Sequence, residues 1–368
     1  MTNEPHPGLV AGPRPSSTTG PTQSPLWLLT KAPAVTRLVE SLTRIRRQVE
    51  AMPSSEHTLT LSKTALAEAR TAFDHMILGG EAALHRLSEL LSEYFFGMGF
   101  ERESVVIGEV PTTKERFRLT QPLSAGEIYG HTDIDLGTRQ LARIRVHDGT
   151  SLCRPELIAN FVEYHPIAPN TFEVHRLVSR IKAEEEIWNK VVDELFNIDN
   201  LVRRDKKLQS MSRYVKDVFG LKIIVANADA ARRLFDTLGS LTFEPDRLGA
   251  HTIEANEGNQ TIRVIELKDY LSDSDRKQSG WAALKCVAVW WDRLFEIQVQ
   301  PLANYYRERE RITQESHESF RARREMLRGE IARQVPLFGY YRDLLKWLFL
   351  GSQEAPPEFP GVRLEISP

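Results

Sequence analysis

The chain has 368 residues, of which 41% are hydrophobic and 27% charged, and its formal net charge is −2. These values are typical of a soluble globular protein with room for two domains, and the near-neutral charge excludes binding of nucleic acid or anionic membrane by bulk electrostatics. Two cysteines, Cys153 and Cys286, are too few for a disulfide framework or a cysteine-rich zinc site and favour a reducing, cytoplasmic setting. The absence of a signal-like leader and of a run of about 20 apolar residues predicts no membrane partner.

The N-terminal part of the chain begins with a segment that cannot bury enough apolar surface to fold. Residues 1–30 are crowded with Pro, Gly, Ser and Thr, which predicts a disordered tail. Apolar residues at helical spacing predict a helix over 35–49. Two further helices, over 62–76 and 81–96, are predicted on either side of a Gly-Gly pair.

Short β-rich segments between residues 104 and 146 predict a small sheet. Together with the helices it forms an N-terminal module over 31–165, to which the sequence assigns no role. Within it Asp133 and Asp135 lie two apart, on one face of a predicted strand, as a metal-binding carboxylate pair would. No phosphate-binding loop precedes them, so a solvated strand face is the favoured interpretation and a metal site is the alternative.

The chain after residue 166 carries basic and acidic side chains on predicted strands and helices. A strand over 172–182 places Arg180 and Lys182 on one face, and the helix that follows carries Lys190. Asp217 stands just ahead of the next predicted strand. Further strands are predicted over 221–226, near Thr252 and over 262–267, and a helix closed by Gly239 over 229–238.

A basic loop and a strand with one polar face follow, between Lys268 and Gln298. Glu296 and Gln298 share one face of that strand, and the opposite face is apolar. A carboxylate on such a face can ligate magnesium or accept a proton from an attacking hydroxyl. Trp281 offers a stacking surface to a purine. The rest of the chain is predicted to contain a charged helical segment over 302–327, a final apolar helix over 337–350 and a loose tail. As domains, we divide it into C-terminal helices over 321–350 and a tail over 351–368.

Five motifs in this region together resemble the RelA/SpoT alarmone synthetase domain, over roughly residues 174–320. They are Arg180-Ile-Lys182 with Lys190, Asp217-Val-Phe-Gly-Leu-Lys222, Lys268-Asp269-Tyr270, Lys277-x-Ser-Gly280-Trp281 and Glu296-Ile-Gln298. The resemblance implies an α/β (α+β) fold over 166–320, with a nucleotidyltransferase-like mixed sheet flanked by helices. It also implies an Mg²⁺-dependent transfer of pyrophosphate from ATP to the 3′-hydroxyl of GDP or GTP. No histidine-aspartate hydrolase motif is visible in residues 1–165, so a synthetase-only protein is expected.

The resemblance also implies a role for each matching residue. Glu296 and Asp217 would be catalytic and would hold the metal. The ATP phosphates would be bound by Arg180, Lys182, Lys190 and Lys222. The acceptor would be bound by Lys268, Asp269, Lys277, Trp281 and Gln298.

Several positions depart from the family pattern, mainly around the acceptor. They are Lys222, Glu266, Ser279, Trp281, Lys285 and Gln300-Pro301. The alternatives that these changes leave open are a toxic relative that pyrophosphorylates tRNA 3′ ends or adenine nucleotides, and an inactive nucleotide-binding or regulatory module. Homo-oligomerisation, or a regulatory partner bound through the N-terminal module, also stays open.

Overall fold

A computed structural model describes most of the chain, namely residues 33–181, 184–196, 219–272, 281–307, 326, 328–350 and 355–368. The predicted N-terminal tail and most of the charged segment over 302–327 lie outside the described residues. No helix in the described part of the chain is long and apolar enough to cross a bilayer.

The helices are α1 (Pro33–Ala51), α2 (Lys63–Phe96), α3 (Ala125–Gly130), α4 (Asp133–Ala142), α5 (Glu184–Leu195), α6 (Ala228–Ser240), α7 (Pro245–Ala250) and α8 (Pro336–Leu350). The strands are β1 (His57–Ser62), β2 (Phe100–Glu109), β3 (Arg116–Pro122), β4 (Val146–His147), β5 (Leu152–Cys153), β6 (Glu156–Pro166), β7 (Val174–Ile181), β8 (Phe219–Val225), β9 (Arg263–Asp269), β10 (Leu284–Trp290), β11 (Arg293–Pro301) and β12 (Val362–Ser367). The helices predicted over 35–49 and 337–350 are confirmed, as are the strands at β7, β8 and β9.

Eight strands form one sheet in the order β3-β2-β6-β7-β8-β11-β10-β9. Neighbouring strands are antiparallel except β8 and β11, which run parallel. The predicted α/β fold, with a mixed sheet flanked by helices, is confirmed. One face of β8 and β11 is apolar. Helix α2 packs on β7 and β8, and helix α6 packs on β8, β10 and β11. Helices α5 and α8 form a second layer behind α2, where the rings of Trp188 and Phe349 stack with centroids 3.7 Å apart.

The small N-terminal sheet predicted from residues 104–146 is not separate. Strands β2 and β3 continue the large sheet through β6, which pairs with β7 at Glu163 and Val178. This pairing satisfies backbone groups that a separate small sheet would leave exposed at its edge. The division of the chain at residue 165 stays a prediction, although no sheet edge lies there.

Helix α2 corrects the prediction of two helices separated by a Gly-Gly pair. It is continuous from Lys63 to Phe96. A Cβ on Gly80 would lie 1.9 Å from Cζ of Phe219 on β8. Glycine at this position therefore lets the helix backbone approach the sheet and does not end the helix.

The segment containing Asp133 and Asp135 is a helix and not the predicted strand. Thr132 caps α4, because its hydroxyl accepts a hydrogen bond from the Asp135 amide at 3.0 Å. Asp133 is buried and Asp135 is exposed, so the two carboxylates do not share a face. Threonine followed by acidic residues is an N-terminal helix signal, which outweighs the strand-like alternation.

Three smaller predictions about secondary structure were also wrong. Thr252 lies in a left-handed turn, with φ of 56°, and not in a strand. Helix α6 continues through Gly239 to Ser240. The tail over 351–368 is not loose throughout, because β12 pairs in parallel with β1 along their whole length.

Candidate functional site

Two adjacent rows of side chains cross strands β7 to β11 on one face of the sheet. The first row aligns Arg180, Gly220, Glu296, Val287 and Glu266. The second aligns Val178, Lys222, Gln298, Lys285 and Lys268. Residues paired across neighbouring strands point to the same side, and so do residues two apart along a strand. We call these two sets the charged rows.

The charged rows contain more positive than negative side chains. Their cations are Arg180, Lys222, Lys285 and Lys268, and their carboxylates are Glu296 and Glu266. The opposite face of the same strands is apolar, as the sequence predicted for Phe295, Ile297 and Val299. A cationic surface on a rigid sheet can bind a polyphosphate through charge-assisted hydrogen bonds.

Glu296 is the buried acid of the charged rows, with 5% of its surface exposed. One carboxylate oxygen accepts a hydrogen bond from Gln298 Nε2, and the other forms an ion pair with Lys285 Nζ. The carbonyl oxygen of the Gln298 side chain is buried and accepts no hydrogen bond within the described structure. Glu296 is thus held in place by its neighbours, with its charge compensated by Lys285.

Gly220 leaves a gap in the first row between Arg180 and Glu296. Adjacent strands lie about 4.8 Å apart, so the two flanking Cα atoms are separated by roughly 10 Å. The nearest described atom to a Cβ built on Gly220 is the Arg180 carbonyl oxygen, at 3.6 Å. We call this gap the Gly220 notch; it lies between a guanidinium and a carboxylate.

The edge of the sheet at β9 is less cationic than the sequence indicates. Lys268 Nζ lies 2.9 Å from a carboxylate oxygen of Glu266. This hydrogen bond is the main cause that raises the pKa of Lys268. Asp269 accepts hydrogen bonds from the amides of Leu271 and Ser272, at 2.8 and 3.1 Å, and so stabilises the turn after β9.

Trp281 lies at the start of the segment that leads into β10. Its ring meets that of Tyr270 edge to face, with centroids 5.3 Å apart. The amide of Tyr270 donates to the Ala283 carbonyl oxygen at 3.0 Å, which fixes the two aromatic residues relative to the sheet edge. Both side chains are half-buried.

The structure brings five of the predicted residues onto one face, namely Arg180, Lys222, Lys268, Glu296 and Gln298. Asp269 and Trp281 lie at the end of β9 and ahead of β10. Lys182, Asp217 and Lys277 lie outside the described residues, as does the side chain of Lys190 on α5.

Sequence reasoning missed the pairing of Lys285 with Glu296. A signal for it exists in the hairpin between β10 and β11. Its two turn residues, Trp291 and Asp292, have φ of 47° and 58°. Counting back from a two-residue turn places Lys285 opposite Gln298, next to Glu296.

Two groups of three side chains in the described structure could hold a metal ion, and Glu296 belongs to neither. They are Glu81, His85 and Asp133, and Glu103, Glu163 and His165. Magnesium fits Glu296 only in part, since its two oxygens already contact Gln298 and Lys285. The second implied ligand, Asp217, lies outside the described residues.

No protein-family model matches the chain, and no curated protein matches it significantly. Solved structures similar to it include small alarmone synthetase 1 from Bacillus subtilis bound to its product pppGpp, with 17% identity and a TM-score of 0.24 over 40% of this chain and 64% of that one. A second structure of that protein has 16% identity and a TM-score of 0.22, over 45% and 82%. The protein smu.1046c from Streptococcus mutans UA159 has 19% identity and a TM-score of 0.24, over 44% and 74%. The function proposed below therefore rests on this chain's own residues.

Proposed function

We propose that the chain is a diphosphotransferase that moves the β,γ-pyrophosphate of ATP to the 3′-hydroxyl of GDP or GTP. The products would be AMP and a (p)ppGpp alarmone. The observation that carries this proposal is Glu296, a buried carboxylate held among cations on a single sheet face. Pyrophosphate transfer needs both features, because a base must accept the hydroxyl proton and fixed positive charges must stabilise the phosphate oxygens.

The charged rows divide into a donor side and an acceptor side around Glu296. On the donor side, Arg180 and Lys222 on β7 and β8 would bind the ATP phosphates, together with Lys182 and Lys190. The Gly220 notch would receive the phosphoryl group that is being transferred, between Arg180 and Glu296.

On the acceptor side, Gln298 would accept a hydrogen bond through its unpaired side-chain oxygen. Trp281 would stack on the base, Lys268 and Lys277 would line the acceptor's phosphates, and Asp269 would also contribute to acceptor binding. Glu296 would take the proton from the acceptor hydroxyl, with Lys285 stabilising the negative charge of the carboxylate until then.

Glu296 and Asp217 would hold a magnesium ion, which would supply positive charge to neutralise the ATP phosphates. In the described structure Lys285 Nζ contacts the same carboxylate. Lys285 therefore holds the charge of this acid in balance when nucleotide is absent.

The test is an acceptor screen with ATP labelled in the γ-phosphate. Purified protein is incubated with Mg²⁺ and GDP, GTP, adenine nucleotides or tRNA, and both AMP and labelled acceptor are quantified. The proposal predicts AMP in equal amount to a 3′-pyrophosphorylated guanosine nucleotide. No AMP with any acceptor would overturn the enzyme assignment, and nucleotide binding without turnover in the same samples would indicate an inactive binding module.

One observation favours a second acceptor class. The pairing of Lys268 with Glu266 neutralises a cation at the sheet edge, where the acceptor's phosphates would lie. An acceptor with little 5′-phosphate charge in the site, such as the 3′ end of tRNA, needs this cation less. Label appearing in tRNA and absent from GDP and GTP would establish this alternative. Label in GDP or GTP alone would reject it.

A further inference from the structure

A group of metal-ligand side chains lies in the protein interior, away from the charged rows. Glu81 and His85 are one turn apart on α2, and Asp133 is the first residue of α4. Their exposed fractions are 4%, 0% and 2%. One ligand atom from each residue lies within 4.8 Å of the other two. We call them the Glu81 group.

The distances within the Glu81 group suit a small divalent ion. His85 Nε2 lies 3.1 Å from Asp133 Oδ1. Two ligands of a tetrahedral zinc site, each about 2.0 Å from the metal, are roughly 3.3 Å apart. The other carboxylate oxygen, Asp133 Oδ2, is buried and has no hydrogen-bond partner among the described residues.

Neighbouring residues form hydrogen bonds with the Glu81 group, as the residues around a metal site do with the metal's ligands. The hydroxyl of Tyr164 on β6 lies 2.9 Å from His85 Nδ1. With Nδ1–H donating to this oxygen, Nε2 faces Asp133 Oδ1, and its lone pair becomes available to a metal ion when that ion replaces the proton between the two atoms. The side-chain amide of Asn160 donates to the backbone carbonyl oxygen of Asp133, and the Asp133 amide donates to Glu81. These contacts fix the three ligand atoms without a metal.

The charge of the group is unbalanced. Two carboxylates share one imidazole in a buried position. Buried negative charge is costly unless a proton or a cation compensates it. A bound metal ion would supply that charge and would also use the free oxygen of Asp133.

The second metal-ligand group differs in this respect. Its buried member, Glu163, lies 2.7 Å from Arg176 and 3.3 Å from Arg118. Although burial alone would raise the pKa of Glu163, a hydrogen bond with His165 and these two guanidinium groups lower it. Its charge is already balanced, so it has no need of a metal ion.

We propose that Glu81, His85 and Asp133 bind a divalent transition metal ion of the zinc class, outside the site that handles nucleotides. Imidazole and carboxylate donors suit Zn²⁺, with Mn²⁺ as the competing ion. The ion would tie α2, which supports β7 and β8, to α4 and, through Tyr164, to β6. Its three protein ligands leave one position of a tetrahedral ion to water, and we assign the ion a structural role because the group is buried.

The first test measures metal in the whole 368-residue chain. Elemental analysis after purification in metal-free buffer is predicted to find one Zn²⁺ or Mn²⁺ per chain. Dialysis against a chelator is predicted to lower the unfolding temperature, and added Zn²⁺ to restore it. Co²⁺ substituted into the site gives an absorption spectrum that reports a nitrogen- and oxygen-ligated ion.

The second test compares two aspartates on the same helix. Asp133→Asn keeps the shape and a hydrogen-bond acceptor for His85 but removes the charge, and is predicted to weaken metal binding at least about tenfold. Asp135→Asn, the exposed control, is predicted to bind as wild type does. The proposal is overturned if wild type contains no metal and Zn²⁺ and Mn²⁺ leave its unfolding temperature unchanged, which would show that only a proton occupies the group. It is also overturned if Asp133→Asn binds metal as tightly as wild type. Should Asp133→Asn fail to fold, the wild-type measurements alone decide.

Discussion

Substitutions that fill the Gly220 notch are predicted to lower activity without lowering stability. Gly220 lies in β8 between Arg180 and Glu296 and has no positive φ. The nearest described atom to an added Cβ is at 3.6 Å, an ordinary contact. Glycine in a strand costs about 0.5–1 kcal/mol relative to alanine. Gly220→Ala is therefore predicted to raise the free energy of unfolding slightly, and Gly220→Val to leave it within about 1 kcal/mol of wild type.

The same substitutions are predicted to reduce activity. A single methyl group narrows the space in which the transferred phosphoryl group would lie, and the two methyl groups of valine fill much of it. Displacing a reacting group by about 1 Å costs on the order of 100-fold in rate. We expect Gly220→Ala to lower the rate severalfold and Gly220→Val to lower it at least about 100-fold.

The assay is AMP formation from ATP with the acceptor that the screen identifies, alongside urea unfolding of the same samples. Gly239→Ala is the matched control, because its added Cβ meets no described atom within 4 Å. It is predicted to stabilise α6 by up to about 1 kcal/mol and to leave the rate unchanged. A Gly220→Val enzyme with a rate within about threefold of wild type would show that substrate does not enter the notch.

Three further substitutions test the surrounding structure. Lys285→Met removes the partner of buried Glu296 and is predicted to lower the free energy of unfolding by about 1–3 kcal/mol. This loss is smaller than for a fully buried pair because the Lys285 side chain is 29% exposed. In urea unfolding, the double mutant with Glu296→Gln should recover part of the loss, whereas strictly additive effects of the two substitutions would contradict the ion pair. His251→Gln tests the contacts with Glu89 and Glu93, at 3.3 and 2.9 Å, which raise the pKa of His251. The stabilisation from these contacts is fully present below the unfolded-state pKa of about 6.5 and is lost as pH rises through the folded-state pKa of His251. The difference in unfolding free energy between His251→Gln and wild type should therefore be largest near pH 5.5 and vanish at alkaline pH. A difference that does not change with pH would refute the contribution of a charged His251. Gly80→Ala is predicted to lower the free energy of unfolding by about 2 kcal/mol or more, because the new Cβ overlaps the ring of Phe219. In Gly79→Ala the new Cβ meets only the guanidinium end of the Arg293 side chain, so a smaller loss is expected. Equal losses in urea unfolding would show that α2 does not depend on its close approach to Phe219.

Local sequence patterns predicted the helices and strands whose formation depends mainly on residues close to one another in the sequence. The apolar spacing over 35–49 and the alternation around Glu296 and Gln298 both correspond to observed elements, α1 and β11. The pair at Gly79 and Gly80 could not be interpreted correctly from sequence, since Phe219, which requires the glycine, is far away along the chain. Partners distant in sequence decide such positions.

The same limit applies to the candidate sites. The sharing of one strand face by Glu296 and Gln298 followed from alternation, but the ion pair with Lys285 depends on the register of a hairpin. Asp133 was singled out for the wrong partner. Its neighbour in space is His85, which is separated from it by the whole of β2 and β3.

The proposed role of Glu296 as the base in pyrophosphate transfer is tested most directly by the single-turnover rate of Glu296→Gln with saturating ATP and acceptor. General-base catalysis contributes about 10²–10⁴ in rate. A loss of that size is predicted, with the affinity for ATP little changed and the unfolding temperature close to that of wild type. A Glu296→Gln enzyme that transfers pyrophosphate at the wild-type rate would show that Glu296 is not the base.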